Sequence, residues 1–190
     1  MNSGCYASDH KYRMSFSVGG LMLNESLVIA QAYRPGETWA CARERLLAQG
    51  TSSLPKLASQ TRALREVYDR IGHLFDTERH YLSAEADRAE QQAIVWLAVC
   101  RTYRFVHEFA VEVISERYQS WRLDLGHEVF DRFLAEKAES DSGLAELSPS
   151  TCAKLRQVLF RILREASLIS IDGRIQPIWF SGRMKRLIED

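Results

Sequence analysis

The sequence predicts a mainly α-helical protein with one β-hairpin near its C-terminus. Only 10 glycines and 4 prolines interrupt the 190 residues, so long regular elements are expected. Apolar residues recur at helical spacing in most segments, and hydrophobic residues make up 46% of the chain against 26% charged residues. This balance is typical of a globular protein and argues against a disordered or fibrous one.

The pattern divides the chain into four parts. They are a loose leader (1–14), an N-terminal helical bundle (15–75), a connector with a long central helix (76–122) and a C-terminal winged-helix-like unit (123–190). The leader lacks the apolar stretch of a secretory signal, so we expect a cytoplasmic protein.

Three helices joined by short turns are predicted in the N-terminal part. The first ends near Pro35-Gly36, and the second begins after Thr38 and ends at Gly50. The third starts at a Ser53 cap. Three helices in this order resemble a helix-turn-helix-type bundle.

The outward face of the third helix is polar and basic. A face of this kind can enter the major groove of DNA. Glu66 and Asp69 dilute its charge, and a solvated helix surface is the alternative interpretation. The candidate binding residues on this face are Lys56, Gln60, Arg62 and Arg65.

A long helix over about 88–118 is predicted as the spine of the molecule. Its stretch 93–114 is the most apolar of the chain, but it contains Arg101, Arg104 and Glu108. Each ionised group at the middle of a bilayer costs roughly 2.5 to 3.5 kcal/mol, so no membrane span is expected. Without an E-x-x-H partner, the acidic residues at four-residue spacing predict a solvated face rather than a metal site, and no cofactor is expected. These acidic residues are Glu108, Glu112 and Glu116.

The C-terminal part begins with two amphipathic helices, one over 126–139 and one over about 150–165. Ser148 is predicted to cap the second, with Pro149 at its first helical position. The apolar stripe of this helix consists of Leu155, Val158, Leu159, Ile162 and Leu163. No acidic residue is expected on the opposite face, whose candidate DNA-binding residues are Lys154, Gln157, Arg161 and Arg164. Arg156, on the same helix, is a further candidate.

A β-hairpin is predicted after this helix. The segments 168–171 and 174–176 flank Asp172-Gly173, a pair typical of tight hairpin turns. Helix, helix and hairpin follow in the order of a winged helix-turn-helix, whose wing would place Arg174 beside the DNA backbone. The alternative is a helical core with a surface hairpin, whose basic face contacts a protein or solvent.

Positive charge is concentrated at the C-terminal end, although the formal net charge is zero. Residues 148–190 include eight basic and four acidic residues, whereas 105–147 include four basic and ten acidic ones. Arginine outnumbers lysine 20 to 5, and the planar guanidinium suits phosphate oxygens and guanine edges. A GC-rich genome would produce the same bias without a functional reason.

The sequence contains no recognisable catalytic motif. It lacks a P-loop and the G-x-G-x-x-G, H-E-x-x-H and G-x-S-x-G motifs, and its five histidines are isolated. We therefore expect a protein without enzymatic activity. Cys41, Cys100 and Cys152 fall in apolar helical patterns without a C-x-x-C pair, which predicts reduced, buried thiols in a reducing compartment.

Three stretches of the chain resemble the BrxA family, small proteins encoded in BREX phage-defence loci. They are SFSVGGL with ESL at 15–27, WLAVCRTY with FAVEV at 96–113, and residues 151–167, in which KLRQVLFR is the most specific piece. The resemblance covers nearly all of the chain beyond the leader. It implies a cytoplasmic accessory factor without enzymatic activity, in a system that methylates host DNA and blocks phage.

Members of this family have also been labelled inner-membrane proteins and likened to the NusB RNA-binding antiterminators. The charges within the long helix argue against the first label. The resemblance carries no motif that fixes binding residues.

The sequence is compatible with three functions. The leading hypothesis is a binder of double-stranded DNA that uses the C-terminal helix and hairpin, with the third helix as a second contact surface. The second is single-stranded RNA binding, which favours exposed aromatic residues for stacking. The candidates for that role are Trp121, Trp179 and Phe180. The third is an assembly adaptor that docks other BREX proteins through the acidic 105–147 region and the basic C-terminus.

Overall fold

This computed structural model describes residues 11–17, 19–48 and 58–189. Eleven α-helices, one 3-10 helix and one π-helix lie within these residues. In chain order they are the 3-10 helix Ser15–Ser17, α1 (Leu23–Ala32), α2 (Trp39–Ala48), α3 (Ala58–Gly72), α4 (Asp76–Ala84), α5 (Arg88–Thr102), α6 (Arg104–Glu108), the π-helix Phe109–Ser115, α7 (Glu116–Gln119), α8 (His127–Ala138), α9 (Ser142–Ala145), α10 (Pro149–Glu165) and α11 (Gly182–Glu189).

The prediction of a mainly α-helical protein is confirmed, but the prediction of a winged-helix-like unit with a β-hairpin is wrong. The described residues contain no β-strand and only isolated antiparallel bridges, which join Ile169 to Ile175 and Asp124 to Arg174. The chain does turn back at Gly173, whose φ of 83° suits glycine.

Two neighbours of this turn limit its pairing. Ser167 has a left-handed backbone with φ 59° just before the first arm, and Pro177, which has no N–H to donate, follows the second arm. The second arm also pairs with the loop before α8, where the Ile175 N–H donates to the Leu123 carbonyl at 2.8 Å. The Asp-Gly signal therefore predicts the turn but not a pair of strands.

The predicted continuous helix over 88–118 is interrupted at Tyr103. The backbone of Tyr103 is extended, with φ −122° and ψ 98°, so α5 ends at Thr102 and α6 begins at Arg104. Tyr103 is fully buried, and its ring packs edge-on against that of Phe16 with centroids 5.6 Å apart. The break thus coincides with tertiary contacts of one side chain, which helical periodicity does not reveal.

Besides the single turn α9, two helices lie where the sequence predicts none. α4 occupies the segment predicted as a polar connector, and Glu78 stabilises its first turn by accepting a hydrogen bond from the Phe75 N–H at 2.7 Å. α11 begins just after Ser181, whose hydroxyl donates to Glu90 of α5 at 2.5 Å. Glu78 also binds α5, through Arg101. Both helix starts are therefore supported by contacts with α5 that have no signature in the local sequence.

The buried apolar residues form a core cluster that includes residues from Phe16 to Met184. α1 packs against α3 and α4, α3 packs against α5, and α10 packs against α8 and the 3-10 helix. The predicted stripe of α10 is confirmed as part of this core, because all of its residues are at most 3% exposed. Burial of the stripe turns the opposite face of α10 outward.

The apolar helix α5 carries a charged residue, Arg101, that is paired with a buried carboxylate. The Arg101 guanidinium donates to both carboxylate oxygens of the buried Glu78, at 2.5 and 2.9 Å. Within the described ranges, no helix combines the length and the apolarity needed to cross a membrane.

The three helical cysteines differ in burial. Cys100 is buried, and burial raises the pKa of its thiol, whereas Cys152 is half-buried. The prediction that Cys41 is buried is wrong, because it is exposed and α2 buries Ala42 and Leu46 instead. All three thiols are free.

Candidate nucleic-acid interface

The outer face of α10 presents four of the predicted binding residues in one row. Ser148 caps the helix by accepting a hydrogen bond from the Thr151 N–H at 3.2 Å, and Pro149 occupies its first turn, as predicted. Spacings of three, four and three residues place the row along about 15 Å of one helix side. The members of this α10 row, all exposed, are Lys154, Gln157, Arg161 and Arg164.

The cations of the α10 row have different electrostatic neighbours. Lys154 Nζ donates to the Gln157 side-chain oxygen at 3.1 Å, and Arg161 Nε donates to the Glu165 carboxylate at 2.7 Å. The expectation that no acidic residue lies on this face is therefore wrong. Arg164 forms no ion pair with any described residue, so its charge is not compensated locally.

The other two C-terminal candidates lie apart from the row. Arg156 forms an ion pair with Asp131 of α8, and its side chain is only 29% exposed. Arg174 lies on the turn after α10, with its Nε 3.9 Å from Asp124 Oδ1, and both side chains are exposed. The structure thus places Arg156 at the contact between α8 and α10, while Arg174 presents its guanidinium to solvent.

A cavity of about 510 Å³ lies at the end of the α10 row. Arg161 and Glu165 line one side, Arg88 and Gln92 of α5 line another, and residues 19–25 complete it. The Gln92 side-chain amide donates to the Glu165 carbonyl at 2.7 Å, which ties α5 to the end of α10. Two guanidiniums therefore line one polar cavity, although no spacing in the sequence connects Arg88 with Arg161.

Backbone donors add to this cavity. The first turn of α1 follows Met22, which provides no side-chain cap, so the N–H groups of Leu23 and Asn24 have no helical partner. The Asn24 side-chain oxygen accepts a hydrogen bond from Arg88 at 3.3 Å. These N–H groups and the two arginines are donors that can bind the oxygens of a phosphate group, while the carboxylates of Glu25 and Glu165 in the same lining balance the two positive charges.

Glu165 approaches the backbone of Gly20 closely at this cavity. A Cβ atom at Gly20 would lie 2.3 Å from Glu165 Oε2 and 3.0 Å from Arg161 Nε. The same carboxylate oxygen accepts a hydrogen bond from the Leu21 N–H at 2.6 Å. Glu165 is thereby fixed between the backbone of residue 21 and Arg161, which holds the Arg161 guanidinium at the cavity wall.

The second predicted basic surface belongs to α3. Lys56 lies outside the described residues. The backbone of Gln60 belongs to α3, but its side chain is not among the described parts of the structure. Arg62 and Arg65 are exposed, and neither forms an ion pair with a described residue.

Glu66 does not dilute this surface, contrary to the prediction. It is 8% exposed and accepts hydrogen bonds from the Tyr103 hydroxyl at 2.5 Å and from Arg13 Nη2 at 2.9 Å. Asp69 also binds Arg13, at 3.1 Å. Both acidic side chains are thus engaged by Arg13 rather than by the exposed arginines of α3.

Residues 13–17 and 19–21 lie between the two basic surfaces. Arg13 binds Glu66 of α3, and the Leu21 N–H binds Glu165 of α10. Among the described residues, no hydrogen bond or ion pair links Arg62 or Arg65 to the α10 row. The α3 and α10 candidates therefore form two surfaces connected by this segment.

The acidic residues predicted on the central helix are partly internal. Glu108 accepts a hydrogen bond from the Tyr12 hydroxyl at 2.6 Å and forms ion pairs with Lys137 at 2.9 Å and Arg104 at 2.6 Å. Burial alone would raise the pKa of Glu108, but these three partners lower it to about 2. The prediction of a solvated face is wrong for Glu108. Among the described residues, no group of His, Cys, Asp and Glu side chains is arranged to hold a metal.

Comparisons with known proteins agree with this architecture. The model of the BrxA family matches residues 10–190. The crystal structure of an uncharacterized protein from Magnetospirillum magneticum is similar, with a TM-score of 0.79 and 20% sequence identity, and the match covers 95% of this chain and 93% of that one. At this identity the likeness concerns the fold alone. No curated protein matches the chain.

Proposed function

Since this chain belongs to the BrxA family, we propose that it is a non-catalytic, DNA-binding component of a BREX-type phage-defence system. The proposed ligand is double-stranded DNA, and the proposed contact surface is the α10 row with the neighbouring Arg88 and Arg174. In this proposal the protein acts in the cytoplasm beside the other proteins of the system.

The α10 row is the observation that carries this proposal. Its cations share one side of a helix whose other side is buried, so their position relative to each other is fixed by the core. Arg161 and Arg164 offer planar guanidiniums, which bind phosphate oxygens with paired hydrogen bonds. Arg164 has no acidic partner among the described residues, so a phosphate would be its first counter-charge.

The shape of the row favours a duplex. The major groove of B-DNA is about 12 Å wide and admits an α-helix, whereas the major groove of A-form RNA is too narrow for side chains to read. α10 has 17 residues and exposes its row along a straight side. Either a groove or a run of backbone phosphates can contact such a side.

A second candidate function is an assembly adaptor for other BREX proteins. α8 exposes Glu128, Asp131 and Glu136, which could contact a basic partner. A mixed apolar and polar protein interface responds weakly to salt, whereas counterion release makes DNA affinity fall steeply as salt rises. Salt dependence therefore separates the two functions.

The test is fluorescence anisotropy with a labelled duplex at several salt concentrations, comparing the unmodified protein with R161A/R164A. We expect the double variant to bind all duplex sequences more weakly and to lower the slope of log affinity against log salt by about 1.8, or about 0.9 for each lost phosphate contact. The matched control is R122A/R132A, which removes the same charge from exposed residues that line a different depression of the surface.

A loss confined to R161A/R164A would support the α10 row. Equal losses in both double variants would indicate a response to net charge and contradict the site. Unchanged affinity and salt slope in R161A/R164A would transfer the proposal to Arg62 and Arg65 of α3. Absence of duplex binding by the unmodified protein would contradict the proposed function itself.

A further inference from the structure

Two tryptophans extend into solvent from chain segments that also line an apolar groove. Trp121 is 85% exposed and Trp179 is 86% exposed. Single exposed apolar residues are common, but large aromatic residues that adjoin a concave apolar surface mark interaction sites. The position of these two side chains therefore points to a ligand.

The groove has a volume of about 280 Å³ and lies between α5, the π-helix and the segment after the turn at Gly173. It is smaller than the roughly 300 to 1,000 Å³ of sites for drug-sized ligands, so it suits one flat group. Its polar lining consists of Ser115 and Gln176, and no charged residue lines it. Its apolar lining is formed by Trp96, Ala110, Ile114, Tyr118, Leu168, Ile175, Pro177 and Ile178.

Both tryptophans follow lining residues closely along the chain. The Trp121 N–H donates to the carbonyl of Tyr118 at 3.1 Å, and Trp179 directly follows Ile178. Trp121 also has a left-handed backbone, with φ 58°, one residue beyond the helix cap. Glycine is the usual residue there, so a tryptophan is held at this position despite its unfavourable backbone conformation.

One face of α5 contributes lining residues to both the groove and the arginine-lined cavity. Arg88, Gln92 and Trp96 follow at four-residue spacing and thus share one helix face. Gln92 lines the cavity, and Trp96, one turn later, lines the groove. Gln92 and Trp96 lie about 6 Å apart along the helix axis, so the polar cavity and the aromatic groove are neighbours on α5, as a phosphate and its neighbouring base require.

We propose that this groove, with Trp121 and Trp179, binds unpaired nucleobases of the same DNA that the α10 row contacts. The inference rests on the proposed function and adds a preference for DNA that contains an unpaired segment. A nucleobase has two apolar faces, which match the groove walls and stack on aromatic rings, and one polar edge, which can bond to Ser115 and Gln176. The Gln176 side-chain oxygen has no partner among the described residues, so it is available as an acceptor.

The neighbouring charges favour a nucleobase over a segment of another protein. Arg88 and Arg161 line the adjacent cavity, and Arg164 follows one turn after Arg161 on α10. A polyanion placed along these cations brings its own bases to the groove, whereas a protein segment would gain nothing from the cavity unless it carried acidic groups.

The experiment compares a blunt duplex with the same duplex extended by a short oligothymidine overhang. We expect the overhang to raise the affinity of the unmodified protein by at least fivefold, because stacking on one aromatic side chain contributes that much per base. Tryptophan fluorescence should be quenched by the overhang and not by the blunt duplex. In W121A/W179A the advantage of the overhang should disappear while blunt-duplex affinity stays unchanged. The control is F75A, which removes an exposed aromatic ring at the start of α4.

The outcomes distinguish failure of the stacking site from failure of the proposed function. If the blunt duplex binds but the overhang adds nothing and quenches nothing, the stacking site is overturned and the proposed function stands. If W121A/W179A keeps the full advantage of the overhang, the groove belongs to a different ligand, such as a protein segment, and the inference is overturned. If neither DNA binds, both proposals fail. Matching circular dichroism spectra of the variants exclude misfolding as the cause of a loss.

Discussion

The hydroxyl of Tyr103 donates a 2.5 Å hydrogen bond to the buried carboxylate of Glu66. Arg70, which is fully buried, donates from Nε to the same hydroxyl oxygen at 3.3 Å and from Nη1 to the Gly20 carbonyl at 2.8 Å. Its Nη2 atom has no partner within the described part of the chain. These contacts join α3, the break between α5 and α6, and the backbone that lines the arginine cavity.

The first prediction concerns Y103F, which keeps the ring and removes the hydroxyl. Glu66 and Arg70 would then remain buried with one partner fewer each, so we expect the free energy of unfolding to fall by about 1 to 3 kcal/mol. Urea denaturation measures this change. The control is Y118F, whose ring is 45% exposed; it should change stability by less than about 0.5 kcal/mol. Equal effects of the two variants would contradict a structural role for the buried hydroxyl.

The second prediction concerns the pH dependence of stability at Glu108. Its pKa is lowered to about 2 in the folded protein, below the value of about 4.3 that an unfolded glutamate has. The ionised form therefore contributes stability above pH 4 to 5, and this contribution is lost as the pH falls towards 2. We expect E108Q to destabilise the protein by about 2 kcal/mol at pH 7 and by little near pH 2.

Thermal unfolding across this pH range tests the Glu108 prediction. E112Q is the matched control, because Glu112 binds the same Lys137 at 2.8 Å but is 46% exposed in its side chain. Its effect should be small at every pH. A pH-independent loss of stability in E108Q would show that packing, and not ionisation, determines the role of Glu108.

A third prediction follows from the pairing of Arg161 with Glu165. E165Q removes the negative charge from the α10 row and keeps an oxygen that can accept the Leu21 N–H bond. We expect duplex affinity to increase, because the Glu165 carboxylate no longer competes with a phosphate for Arg161, while the salt slope stays close to that of the unmodified protein because the number of phosphate contacts is the same. E139Q, with the same charge change at an exposed residue after α8, should leave duplex affinity nearly unchanged. A similar increase in both variants would reveal only a net-charge effect.

The fourth prediction concerns thiol reactivity. Cys41 is exposed on α2, whereas Cys100 is buried and burial raises the pKa of its thiol. Only the thiolate reacts readily, so maleimide at neutral pH should modify Cys41 quickly and Cys100 only after unfolding. Peptide mapping by mass spectrometry distinguishes the sites. Fast modification of Cys100 in the folded protein would contradict its burial within α5.

Local signals predicted α10 well, because cap, proline and apolar stripe all lie within one helix. They placed Arg161 and Arg164 on the outer face but could not place Glu165, whose position depends on the backbone of Leu21. The arginine cavity also needs Arg88, which reaches Arg161 only through the packing of α5 against the end of α10. Periodicity predicts which side of a helix is exposed, and it gives no information about which other helix lies beside it.

The wrong prediction for the charge of Glu66 also arises from contacts between residues that are distant in sequence. The position of Glu66 on α3 suggests a polar surface, but its carboxylate is buried because Tyr103 and Arg13 bind it. Tyr103 in turn interrupts a segment whose apolar pattern is continuous, so sequence periodicity predicts one helix there, whereas α5 ends before Tyr103 and α6 begins after it. Contacts between residues distant in sequence decide both cases.

The contact between Leu21 and Glu165 spans 144 positions of the chain, and the contact of Tyr12 with Asp141 spans 129. A ribosome that adds roughly 5 to 20 residues per second needs roughly 7 to 30 s to synthesise the longer interval. During that time residues 13–17 and 19–21 lack their partners on α10, although the ring of Phe16 can already pack against Tyr103 once residue 103 has been synthesised. The α3 and α10 surfaces can therefore reach their final relative position only late in translation. A pause before α10 would leave an aggregation-prone nascent chain that chaperones must cover.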